Sequence, residues 1–153
     1  MRDAMKPVTV SVEVPTPRQA VYDFLDVLAN HEPFTDHIMV NWKYSGPRAG
    51  VGAKANARLR APGSNENIDI EVIEAAPPRR VVEESVSAGG KRRTRGTYEL
   101  DELAGGGTRI AFELIWIEAP RNERMTAPLM RAFMRRTNGR SMRRLAKLLR
   151  SRA

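Results

Sequence analysis

This sequence predicts an α+β fold: a seven-stranded antiparallel sheet followed by a long C-terminal helix. Seven segments have strand character, and six of them succeed one another between Val40 and Ile117 with only turn signals between. Helical periodicity separates the first strand from the others and returns from Arg121 to Arg152. Turns this short join neighbouring strands in antiparallel order, because a parallel crossover needs about a dozen residues.

In chain order, "VTVSVEV" alternates, with Val8, Val10, Val12 and Val14 on one side, as in a half-buried strand. In "PTPRQAVYDFLDVLAN", Thr16 suits the N-cap, Pro17 the first helical position and Gln19 the reciprocal capping contact. Val21, Phe24, Leu25 and Leu28 then share one helical face, which Asn30 and Pro33 end. "HEPFTDHIM" reads as a loop or a further short turn of helix, giving two short helices between strands 1 and 2. The remaining strands begin with "VNWKYS", ending at Gly46-Pro47, "VGAKANARLRA" at Pro62-Gly63 and "NIDIEVIEA" at Pro77-Pro78. "RVVEESVSA" ends at Gly89-Gly90, "RTRGTYELDEL" at Gly105-Gly106-Gly107 and "TRIAFELIWIEA" at Pro120.

On a helical wheel of the last segment, Leu129, Met130, Phe133, Met134, Thr137, Ser141, Leu145 and Leu148 fall in one arc. Arg131, Arg135, Arg136, Arg143, Lys147 and Arg150 lie outside it, with Arg140 and Arg144 at its border. Unbroken over 121–152, this helix would be about 48 Å long. A compact domain of this length is only ~38 Å across. A bend is therefore expected, at Asn138-Gly139, where glycine weakens the helix.

Composition narrows the function. At 153 residues the chain suits one domain over 1–153, with sheet and first helices in 7–120 and the closing helix in 121–152. No apolar run is long enough to span a membrane, and "MRDAMKPVTV" has no secretory h-region. The absence of cysteine excludes disulfides and thiolate chemistry, and the cytoplasm is the expected compartment. The net charge of +8 is concentrated in the tail: Arg121–Ala153 holds eleven Arg or Lys and one acid, Glu123, a net +10. Such charge density suits phosphate contact through Arg136, Arg143 and Lys147, or transient contact with an anionic membrane. The helix offers one aromatic, Phe133, on its apolar side, which argues against a nucleic-acid stacking platform.

The element order resembles the START-like, or SRPBCC, superfamily of polyketide cyclases/dehydrases, lipid-transfer domains and plant allergen-type carriers. "VPTPRQAVYDFLDVLANHEPF", "GVGAKANARL", "GTYELDELAGGGTRIAFEL" and "NGRSMRRLAKLL" resemble its first strand-to-helix segment, third strand, last hairpin and closing helix. The resemblance implies a curved sheet wrapped around the C-terminal helix, the helix-grip arrangement, with an apolar cavity between them. It therefore implies binding or transport of a small hydrophobic ligand, such as a lipid, polyketide or isoprenoid-like molecule. A polyketide aromatase/cyclase-type enzyme and an RNA- or ribosome-associating module are the alternatives.

Residue sizes agree with a hollow interior. Ala53, Ala55 and Ala57 present small side chains on one strand face, where a tight core would want larger ones. Ile70, Tyr98, Phe112 and Trp116 are the expected walls, with Leu129, Phe133 and Met134 facing them from the helix. For acid–base chemistry the candidates are Tyr98, Thr94 and Glu84, the last sharing a strand face with Val82 and Val86. Gly105, Gly106 and Gly107 form a hairpin turn rather than a phosphate loop, since they lie between two strands. His31 and His37 read as exposed loop or mouth residues, and no metal or other cofactor is implied.

Overall fold

The structure, a computed structural model, describes residues 5–60 and 66–152; the turn expected at Pro62-Gly63 lies outside them. Strand β1 (Val8–Val14) leads into helix α1 (Arg18–Leu25), a 3-10 turn (Leu28–His31) and helix α2 (Glu32–Thr35). Then come β2 (Met39–Ser45), β3 (Lys54–Leu59), β4 (Asn67–Ala76), β5 (Arg80–Ser87), β6 (Arg92–Glu102) and β7 (Thr108–Glu118). Helices α3 (Arg121–Met125) and α4 (Ala127–Ser151) follow. The strands form one antiparallel sheet in the order β1-β7-β6-β5-β4-β3-β2, so the first strand pairs with the last. This is the α+β class the sequence predicts.

Bulges curve the sheet. Register shifts occur in β2 between Val40 and Lys43, in β4 between Val72 and Glu74, and opposite Arg93/Thr94 in β7. Each extra residue bends its strand and increases the local twist. In β2 the shift coincides with Asn41 at φ 58°, a left-handed conformation that asparagine tolerates.

Two local expectations are corrected. Helix α1 is capped one residue later than its sequence suggests, because the carbonyl of Pro17 accepts from the Val21 N–H at 3.1 Å. Thr16 then makes no capping bond: its Oγ1 is buried and has no partner among the described residues, and Gln19 donates to Asp23 instead. The closing helix breaks at Thr126, between α3 and α4, and passes through Asn138-Gly139 without interruption. Pro128 explains the position. It has no N–H for the carbonyl one turn earlier, and its ring crowds that carbonyl, so a continuous helix fails there.

The interior has two halves. The end of α4 packs solidly, burying Met142, Leu145, Ala146 and Leu149 in one cluster with Val8, Val14 and Val21. This buried stripe is rotated from the expected arc, since Leu129 is 73% exposed while Met142, Ala146 and Leu149 are buried. Earlier along α4, Met130, Phe133 and Met134 stand over a hollow instead. Three arginines tie the helix flanks to backbone carbonyls: Arg131 to Lys6 and Pro7, Arg144 to Pro33, and Arg150 to Glu13. Part of the tail's charge is therefore structural.

Candidate functional site

A cavity of about 700 Å³ lies between the sheet and the first half of α4. Its sheet wall follows the inward rows of β4–β7. Register sets Ile70, Ser85, Thr94 and Trp116 in one row, and Val81, Tyr98 and Phe112 in another. Met39 and Trp42 both reach the cavity although they are three residues apart, which the β2 bulge between them permits. Gly96 leaves room for an aromatic wall: a Cβ there would lie 2.8 Å from ring carbons of Phe112.

Several side chains singled out from the sequence line this cavity: Ile70, Thr94, Tyr98, Phe112, Trp116, Phe133 and Met134. Others do not. Leu129 points to solvent, because it lies at the edge of the expected arc farthest from the buried stripe of Met142, Leu145, Ala146 and Leu149. Ala55 and Ala57 are buried in the hydrophobic cluster that includes Leu28 and Phe34, beside the cavity rather than on its wall. Glu84 is on the outer face, paired with Arg95 at 2.6 Å and Arg93 at 3.8 Å. The inward carboxyl of β5 is its neighbour, Glu83. Arg136, Arg143 and Lys147 are exposed on the face turned away from the sheet.

His31 overturns its expected exposure. It is 2% exposed, and its Nε2 donates to the Leu25 carbonyl at 2.7 Å. Its ring stands edge-on to Tyr98 at 5.5 Å, and its Nδ1 is 3.8 Å from Glu83 Oε2. That gap is too long for a hydrogen bond. Among the described residues nothing bonds Glu83 Oε2, a buried atom. Loss of water raises the Glu83 carboxyl to about 7. The same loss lowers His31 to about 4, only partly opposed by its bond to Leu25. Burial, and then the charge of Glu83, hold the Tyr98 phenol well above its usual range. Near pH 6, therefore, all three groups are neutral, and 3.8 Å separates two uncharged side chains rather than an ion pair.

Two further polar clusters frame the hollow. At one edge Arg92 donates to both oxygens of Glu123 at 2.8–3.0 Å, to Glu66 at 2.9 Å and to Ser87 at 2.8 Å. One guanidinium thus joins β5, β6, α3 and the segment before β4. At the other edge His37 donates through Nε2 to the Thr137 carbonyl at 3.1 Å, and its Nδ1 accepts from Arg144 at 2.8 Å. That contact ties the end of α2 to α4. Burial first, then the nearby Arg144 and Arg140 charges, lower the His37 pKa, although its bond to Thr137 opposes them. Among the described residues no three His, Asp or Glu side chains cluster as metal ligands, and no helix is long and apolar enough to cross a membrane.

No protein-family model matches the sequence, and no curated protein matches it either. Solved structures do match. A protein from Thermus thermophilus is 17% identical over 96% of this chain and 99% of its own, with a TM-score of 0.75. A START superfamily protein from Mycobacterium smegmatis is 11% identical over 96% of this chain and 99% of its own, with a TM-score of 0.73. The protein has the START-like helix-grip fold. Ginseng major latex-like protein 151 from Panax ginseng shares it, at 9% identity over 92% of this chain and 95% of its own, with a TM-score of 0.67. Within this START-like frame, the Glu83, His31 and Tyr98 cluster is set by this chain's own side chains.

Proposed function

We propose that this START-like protein binds or carries a small hydrophobic ligand, a lipid, polyketide or isoprenoid-like molecule, between the sheet and α4. The hollow beneath Met130, Phe133 and Met134 carries this reading. Its size falls within the roughly 300–1,000 Å³ of small-molecule sites. Its walls are mainly apolar, and burying an apolar ligand would supply about 25 cal/mol per Å² before association costs. Met39, Met130, Met134 and Met142 line it as well, and unbranched thioethers adapt to varied shapes.

Native mass spectrometry of the purified protein should show a co-purified hydrophobic adduct. Uptake of pyrene, read by its fluorescence, should fall at least ~10-fold in Thr94→Trp, which adds an indole inside the hollow at the cost of at most about 1–3 kcal/mol in stability. Undiminished uptake in a folded Thr94→Trp protein would place the bound pyrene elsewhere and end this reading.

A second reading, an aromatase/cyclase-type enzyme, is favoured by one observation: a carboxyl, Glu83, shares the cavity with a phenol, Tyr98. If Glu83 moves a proton, Glu83→Gln lowers turnover of a polyketide-like substrate by about 100-fold in a cyclisation assay. Full turnover in both Glu83→Gln and Tyr98→Phe excludes them as catalytic groups.

A further inference from the structure

We infer that Glu83 and His31 form the polar end of the ligand site, and that this end selects an apolar ligand bearing a hydroxyl over one bearing a carboxylate. The inference rests on the cavity being a ligand site.

A carbonyl oxygen only accepts, so the 2.7 Å contact to Leu25 puts a hydrogen on His31 Nε2. In the neutral ring Nδ1 is then bare. It points toward Glu83 Oε2, 3.8 Å away, and that oxygen also lacks a partner among the described residues. Above pH 7, where the Glu83 carboxyl has lost its proton, two acceptor atoms thus face each other across a gap slightly too wide for a direct bond. An O–H entering from the cavity supplies the hydrogen they lack. The surroundings make that bond count, because Glu83 sits between Val72 and Gly96 in the sheet, with Leu114 beyond Gly96. A polar group left unpaired in such a place is costly, so the bond should discriminate strongly.

The same arrangement rejects anions. Above pH 7 a ligand carboxylate at this end would meet the ionised Glu83 in apolar surroundings, where two like charges repel with little screening. The guanidinium on the cavity wall cannot compensate. Arg92 is already committed to Glu123, Glu66 and Ser87. The remaining cation of the lining is Lys91, which is exposed. The site therefore pairs a donor-seeking end with a repulsive element against the commonest head group of simple lipids.

Three fluorescent probes of matched shape test this at about pH 8, where Glu83 is ionised: 1-hydroxypyrene, 1-methylpyrene and 1-pyrenecarboxylate, titrated against the full chain. Hydroxypyrene should bind at least ~10-fold more tightly than methylpyrene, and the carboxylate at least ~10-fold more weakly. In Glu83→Leu the hydroxyl preference should disappear and the carboxylate should bind within about threefold of methylpyrene. The wild-type ranking stands as a test even if that variant does not fold. Equal affinity for all three probes overturns the inference and leaves the cavity reading in place. Binding of none overturns the cavity reading and the inference with it.

Discussion

Arg92→Ala should lower the unfolding free energy by about 3–5 kcal/mol, because it strands a buried carboxylate. Glu123 has only 6% of its side chain exposed, and Arg92 supplies three contacts to its two oxygens. Surface ion pairs of similar length contribute little. The outer-face Arg109–Glu13 pair, at 52% and 56% exposure, is of that kind. What separates the two is desolvation. Once Arg92 is gone, the Glu123 carboxylate is left buried without its counter-charge. Urea denaturation followed by circular dichroism measures the loss. The double variant Arg92→Met/Glu123→Leu should recover most of it, since replacing a buried pair with apolar side chains is often neutral or better. A loss below about 1 kcal/mol in Arg92→Ala, the range of a surface pair, would mean that Glu123 reaches water and that this edge of the cavity is open.

The second large effect is a pH-dependent gain. Glu83 has its carboxyl raised from 4.5 to about 7 in the fold. The folded chain therefore holds that proton more tightly than the unfolded chain, and stability falls as pH rises through this window. His31 does the opposite. Its pKa drops from 6.5 to about 4, so the unfolded chain binds the proton more readily and stability falls as pH decreases from 6.5 to 4. Tyr98 is the other titratable group facing the pair, and it stays protonated throughout. Between about 4.5 and 6.5 the two slopes oppose each other and the native chain changes little. Glu83→Gln unmasks His31. The variant should match the wild type near pH 4 and exceed it above pH 7 by on the order of 3 kcal/mol. Melting temperatures across that range read the difference directly. A gap that stays constant with pH would show that Glu83 titrates like a solvated carboxyl.

Glu123 and Glu83 stand out in the sequence to different degrees. Glu123 is conspicuous as the lone acid in an arginine-rich tail, a position that makes sense for a residue held by pairing. Glu83 was harder to see. The doublet Val81-Val82 supports either inward phase, and choosing Val82 brings Glu84 inward. A count outward from Gly89-Gly90 decides the matter: it pairs Ser87 with Arg92, Glu83 with Gly96 and Val81 with Tyr98. With Tyr98 inward, Val81 and Glu83 must be inward too, because cross-strand partners share a face. His31 gave no comparable signal. A histidine two residues before a proline in a polar stretch reads as exposed until the 3-10 turn and α2 bury it.

The linear pattern of residues was enough for the number and order of strands, their antiparallel sense and the amphipathic closing helix. Those features arise from short-range physics: alternation, helical periodicity and the chemistry of Gly and Pro between segments. Tertiary packing alone decided that Leu129 faces water, and that Ala55 and Ala57 fill core beside the hollow. It also decided which carboxyl is desolvated. Burial is set by neighbours distant in the chain, such as His31 against Glu83 and Arg92 against Glu123, and local periodicity carries no record of them.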